Sequence, residues 1–225
     1  LDGTTEVFGN PIGVDSVFRL AAGLADSALA NVGGSGGPTV RNLAAVQKGR
    51  ALLNRGQFAE AAAAVADVPT SFRYFTRHSL LSQNNQLWAL NVNVTRYSMA
   101  DREGGNGLPF RSAGDPRVPF TAPAGRLGFD SFTPWVGQTR WGRTDSVMVA
   151  SGIEARLIQA EAALRAGQGT WLDLVNNPRL PANGGVAGLA PLTDPGSPDA
   201  RLDLVMRERA FWMFSTGHRL GDLRR

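Results

Sequence analysis

Residues 43–69 read LAAVQKGRALLNRGQFAEAAAAVADVP. Leu43, Val46, Ala51 and Leu52 recur at intervals that place them along one side of a helix, and Gly56 supplies a stop. A second helix is predicted to begin at once at Gln57 and to run to about Val68, where Pro69 closes it. Ala44, Ala51, Gly56 and Ala61 are small enough for two backbones to approach, and Phe58 fills the space between them, so the stretch predicts an antiparallel helical hairpin. A lone hairpin cannot bury its own apolar face, so the rest of the chain must supply neighbours.

Upstream, Val14, Val17, Phe18, Ala21, Leu24, Ala25 and Ala28 mark a helix from Gly13 to Asn31. The run VGGSGG (Val32–Gly37) ends it, and Thr39 reads as the N-cap of the next helix. Downstream, Val149, Ile153, Leu157, Ala160 and Leu164 predict one helix over Val147–Ala166, closed by Gly167. A last helix is expected over Asp199–Ser215, deep in the core because Ala210, Phe211, Trp212, Met213 and Phe214 leave it no polar face. Residues 70–145 differ in character. Leu87–Met99 alternates Leu90, Val92 and Val94 with Asn91, Asn93 and Thr95, which predicts a short half-exposed strand. Gly104–Trp141 reads as a long loop of the kind that is usually functional. The expected architecture is mainly α, one helical domain over 1–225 with a loop and short-strand insertion at 70–145.

The hairpin at 43–69 resembles a tetratricopeptide unit. Three further segments resemble the SusD/RagB family of surface nutrient-binding proteins. Asp115-Pro116-Arg117-Val118 matches a D-P-R-aliphatic turn of that family; Ser151–Gly167 (SGIEARLIQAEAALRAG) is similar to its helix with Glu154 and the Ala160-Glu161-Ala162 triplet; and Glu208-Arg209, Gly217-His218-Arg219 and Asp222-Leu223-Arg224-Arg225 fit its closing signature. Trp212 and Thr216 stand where the family usually has glutamate. The resemblance implies a SusD-like fold and a non-enzymatic protein that delivers an oligosaccharide or peptide to a TonB-dependent, SusC-like transporter. It also implies the outer-membrane surface, with a lipid anchor and an N-terminal portion outside these 225 residues. The opening polar stretch and the Arg-rich end suit a mature or truncated piece of a longer protein.

The ion pairs implicit in the last motif stand without the family. Arg209, Arg219 and Arg224 lie close in sequence to Glu208 and Asp222, and guanidinium–carboxylate pairs of this kind fasten a helix end to the body of a fold. These residues are expected to be structural.

Composition narrows the function. The formal charge is +4 and the pI about 10.5, but acidic residues are interspersed with the arginines and like charges do not run together, so a phosphate-tracking, nucleic-acid-binding surface is not expected. With no cysteine, thiolate metal sites and thiol nucleophiles are excluded. Neither H-E-x-x-H nor an EF-hand loop occurs, and the glycine runs lack the context of a phosphate cradle, so no cofactor or metal is expected. His78 and His218 are the only histidines and there is no G-x-S-x-G elbow, so no nucleophilic triad is expected. Glu154 and Glu161 lie on one helix, unlike the facing carboxylates of a glycosidase.

The aromatics remain. Tyr74, Trp88, Tyr97, Trp135 and Trp141 all fall between residues 70 and 145. Sugar rings present apolar C–H faces and polar edges, so a site for them combines flat aromatic platforms with side chains that reach hydroxyl groups. Tyr74, Trp88, Arg96, Trp135 and Trp141 are the predicted ligand-binding residues, with Asn84 and Asn85 nearby. A tetratricopeptide-like scaffold that binds peptides or protein partners is the alternative, which a polar-lined helical groove would favour.

Overall fold

The computed structural model describes residues 9–33, 37–183, 186 and 188–225. The hairpin forms as the sequence predicts. Helix α2 (Gly37–Asn54) ends two residues before Gly56, whose φ of 73° is a left-handed conformation that glycine adopts freely, and α3 (Phe58–Ala64) returns against it. Thr39 does not cap α2, because the helix already begins at Gly37; residues 34–36 of the VGGSGG run lie outside the described residues. Helix α1 (Val14–Asn31) packs on α2 through Ala22 and Ala25. Its larger apolar residues Val14, Val17, Leu20 and Leu24 face outward instead of into the core.

The segment predicted as one helix from Val147 divides in two. Val147–Ser151 is strand β4, paired antiparallel with β1 (Arg73–Thr76) in the register Tyr74 opposite Ala150 and Thr76 opposite Val147. Val147 and Val149 favour an extended backbone, and Ser151 then accepts a hydrogen bond from the Glu154 amide to cap α5 (Gly152–Arg165). Gly152 is obligatory at the junction, since a Cβ there would run into the carbonyl oxygen of Pro69.

Residues 86–99 contain no strand among the described residues, which corrects the sequence expectation. Asn85 caps a single turn, α4 (Gln86–Trp88), which continues as a π turn over Ala89–Asn93. The alternating pattern loses to tertiary context: Asn91, on the supposedly exposed side, hydrogen-bonds across to residues 97, 135 and 138. A two-residue ladder, β2 (Phe120–Thr121) with β3 (Gly137–Gln138), closes the insertion. Short α6 (Trp171–Asn176) follows α5, and α7 (Pro198–Trp212) begins at the Ser197 cap with Pro198 in its first turn. Helix α8 (Arg219–Asp222) is the last element.

Helix α5 is the centre of the molecule, with ten of its fourteen residues buried. Leu53, Ala61, Val65 and Ile158 join it to the hairpin; Leu157, Trp212 and Met213 join it to the end of α7; and Phe110 and Phe211, tilted with ring centres 5.2 Å apart, hold the insertion on α7. The fold is thus mainly helical with two very short sheets, as the sequence predicts.

Candidate functional site

The motifs scattered over 115–225 meet in the interior. Arg117 forks onto two carboxylates, with Nη1 and Nη2 donating to Glu208 at 2.6 and 3.0 Å and Nε and Nη2 donating to Asp115 at 2.8 and 2.6 Å. Arg179 adds a third contact to Glu208 at 2.7 Å. Arg209 donates to Asp222 at 3.1 Å, and Arg225 spans Asp222 and Glu161, each at 2.9 Å. His218 Nε2 lies 3.1 Å from Glu154 Oε1, an atom that also accepts from Arg50 at 2.7 Å. Burial alone would raise the Glu154 pKa, but the charges of Arg50 and His218 outweigh it and hold the carboxyl far below the usual carboxylate range. Within this motif the expected ion pairs are only partly those of the structure. Glu208 pairs with Arg117 and Arg179, Arg219 reaches Glu103 at 2.6 Å, and Arg225 takes the part expected of Arg224, which forms no ion pair among the described residues. Most of these pairs are buried, and together they clasp distant segments of the chain.

The aromatics of the insertion separate into a buried set and an exposed set, and the division corrects the predicted site. Trp135 is 1% exposed and its indole N–H donates to the Asn91 carbonyl; Trp141 is 7% exposed and donates to the Ser215 carbonyl. Neither offers a face to solvent, because each ring fills the gap between the insertion and the helices and buries its N–H against a backbone acceptor. Tyr74 is half-buried in β1 against the hairpin core. Trp88 is half-buried under the Arg143 guanidinium at 5.6 Å. Arg96 is exposed and lies 4.6 Å over Phe129. Asn84 and Asn85 do not reach for a ligand: Asn84 accepts from Arg143, and buried Asn85 both caps α4 and donates to the Asp145 carbonyl.

The rings that do face water are others. Tyr97 is 62% exposed, Phe129 64% and Phe132 86%. Phe129 and Phe132 sit at a turn held by Asp130, whose Oδ1 accepts from the amides of Phe132 and Thr133, with Ser131 at a φ of 63°. The sequence did carry a signal for them. In G-F-D-S-F-T-P (Gly128–Pro134), the phenylalanines are embedded in turn-forming residues, and a tight turn leaves its side chains no interior to enter.

Beside Tyr97 lies a cavity of about 330 Å3, lined by Leu87, Leu90, Met99 and Phe214 with Gln86, Asn91, Gln138 and Ser215. Its two inner amides are already satisfied. Asn91 accepts from the Gln138 amide and donates to the Tyr97 carbonyl; Gln138 forms a closed pair of hydrogen bonds with the backbone of Trp141. The floor is therefore apolar in effect, and no carboxylate lines it. Among the described residues no group of three or more histidines and carboxylates could hold a metal ion, and no helix is long and apolar enough to cross a membrane.

No protein-family model matches the chain, and no curated protein matches its sequence. Among solved structures it is similar to a SusD superfamily protein from Bacteroides vulgatus ATCC 8482, with a TM-score of 0.49 and 15% identical residues. The similarity covers 93% of this chain and 56% of that protein, so this chain spans little more than half of its length.

Proposed function

We propose that this chain is the helical part of a SusD/RagB-type nutrient-binding protein, which captures an oligosaccharide at the outer-membrane surface and passes it to a TonB-dependent, SusC-like transporter. Attachment to the membrane is through a lipid, and the ligand leaves with its bonds intact. The observation that carries the capture is Tyr97: a flat ring, 62% exposed, at the rim of an apolar cavity. A sugar stacked there lays its C–H face on the ring and floor while its hydroxyl groups meet Gln86, Ser215 and solvent. The class itself is supported by the clasp, because residues that carry the resemblance to the family pair within it, Arg117 with Glu208, Glu154 with His218 and Glu161 with Arg225.

Calorimetry against panels of oligosaccharides and peptides tests the reading, with Tyr97→Ala as the control. Saturable glycan binding by the parent protein, lost in the variant at unchanged melting temperature, is the expected result. Binding of peptides alone overturns it.

A second reading has its own observation. A groove of about 860 Å3 runs between α3, α5 and α6, floored by Ala59, Ala62 and Ala162 and edged by Arg156, Gln159 and Asn177. Small residues and amides suit the backbone of an extended peptide, which is the scaffold alternative. Loss of peptide binding on Gln159→Leu, with Tyr97→Ala silent, would favour it.

A further inference from the structure

We propose that the cavity beside Tyr97 takes an uncharged aromatic substituent carried by the captured oligosaccharide, an aryl glycoside or an aromatic ester, while the sugar itself lies at the mouth. The inference rests on the capture reading above and adds the decoration that the ligand bears.

The lining decides what can enter. Leu87, Leu90, Met99 and Phe214 supply its apolar walls, and among the described residues no charged side chain joins them. The side-chain amides of Asn91 and Gln138 are already hydrogen-bonded within the protein. Gln86, which is exposed, and the Ser215 hydroxyl remain as neutral hydrogen-bonding groups. A sugar ring carries hydroxyl groups on every edge, and pushed inward it would exchange their water for these two partners, leaving the others unpaired. A charged group would lose its hydration with no counter-ion to replace it. An apolar group gives up no hydrogen bond on entry and is favoured by leaving water.

Size and shape narrow the choice to a flat ring. An apolar cavity of about 150 Å3 is enough to admit benzene, so the 330 Å3 here has room for one arene and a short link to a sugar. The inner wall is firm, because the Phe214 ring leans on Phe110 with centres 5.5 Å apart and Met99 packs on the same cluster. An arene meets the rings of Phe214 and Tyr97 and the Met99 sulfur in favourable contacts, and it has fewer rotors to immobilise than an alkyl chain. The linking oxygen or ester carbonyl then falls near the mouth, where Gln86 supplies a neutral N–H donor.

Calorimetry on matched pairs that differ in this group alone tests the assignment: phenyl against methyl β-glycosides of cellobiose, xylobiose and lactose, and a feruloylated arabinoxylo-oligosaccharide against the same compound after alkaline de-esterification. The expected result is that at least one aromatic member binds about tenfold more tightly than its partner, and that the ratio persists as salt rises. Leu87→Asp, which sets a carboxylate in the lining, should remove most of that ratio; Leu87→Gln is the milder variant should the first lower the melting temperature. If partners bind equally, if hexyl glycosides gain as much as phenyl ones, or if both Leu87 variants leave the ratio intact, the aromatic assignment falls and oligosaccharide capture stands. If no glycan binds with or without an arene, in these pairs or in the wider panel, both fall together.

Discussion

Glu154 Oε1 is shared by two side chains from distant parts of the chain, Arg50 Nε at 2.7 Å and His218 Nε2 at 3.1 Å. A fully buried carboxylate in the first turn of α5 thus joins the hairpin to the last helical turn. Its charge is the foundation of the contact, because either neighbour would otherwise face a desolvated neutral acid.

The pH dependence follows in sign. The folded-state pKa of Glu154 is depressed below its ordinary value, so its stabilisation is complete above the usual carboxylate range and is lost as pH falls through and below that range. Denaturant melts at successively lower pH should show the parent losing stability there, and Glu154→Gln should be less stable at neutral pH and lose less on acidification. A variant with the same acid slope as the parent would remove Glu154 from this role.

Glu208 makes a sharper demand. It is fully buried and receives Arg117 and Arg179, so Glu208→Gln leaves two desolvated guanidinium groups facing a neutral amide. A loss of about 3–5 kcal/mol is expected in urea unfolding, the range for breaking a buried pair. A loss under about 1 kcal/mol would place the pair among the weak surface contacts.

Gly152→Ala should destabilise through backbone contact, since the new methyl group meets the Pro69 carbonyl where β4 turns into α5. Overpacking against a rigid backbone costs about 1–3 kcal/mol, read as a lower midpoint at unchanged m-value. Gly167→Ala is the comparison: nothing lies near its Cβ, and any cost there is that of its left-handed φ of 69°.

The two classes of aromatic should part experimentally. Trp135→Ala removes a fully buried ring and its hydrogen bond to Asn91, at an expected cost of about 3–5 kcal/mol in stability. Tyr97→Ala should leave the melting temperature within a degree or two while weakening ligand binding, because most of its ring already faces water. Reversal of this pattern in thermal scans and calorimetry would return the site to the buried tryptophans.

The sequence by itself determined the helical frame. Glycine and proline punctuation delimited α2 and α3, the stripe of α5 marked its buried face, and the unbroken apolar run Ala210–Phe214 marked the buried end of α7, because these are local properties of the sequence. It also pointed to the charged motifs as structural, although which arginine meets which carboxylate depended on segments up to 116 residues apart. Only the tertiary structure decided the insertion. Whether an aromatic ring fills a gap or faces water depends on what packs over it, and residues 84–145 are held by side-chain hydrogen bonds such as those of Asn85, Asn91 and Gln138 instead of by a repeating pattern. Trp135 and Tyr97 carry similar chemistry in the sequence; the Asn91 carbonyl and the helices behind it took one ring inside and left the other in solvent.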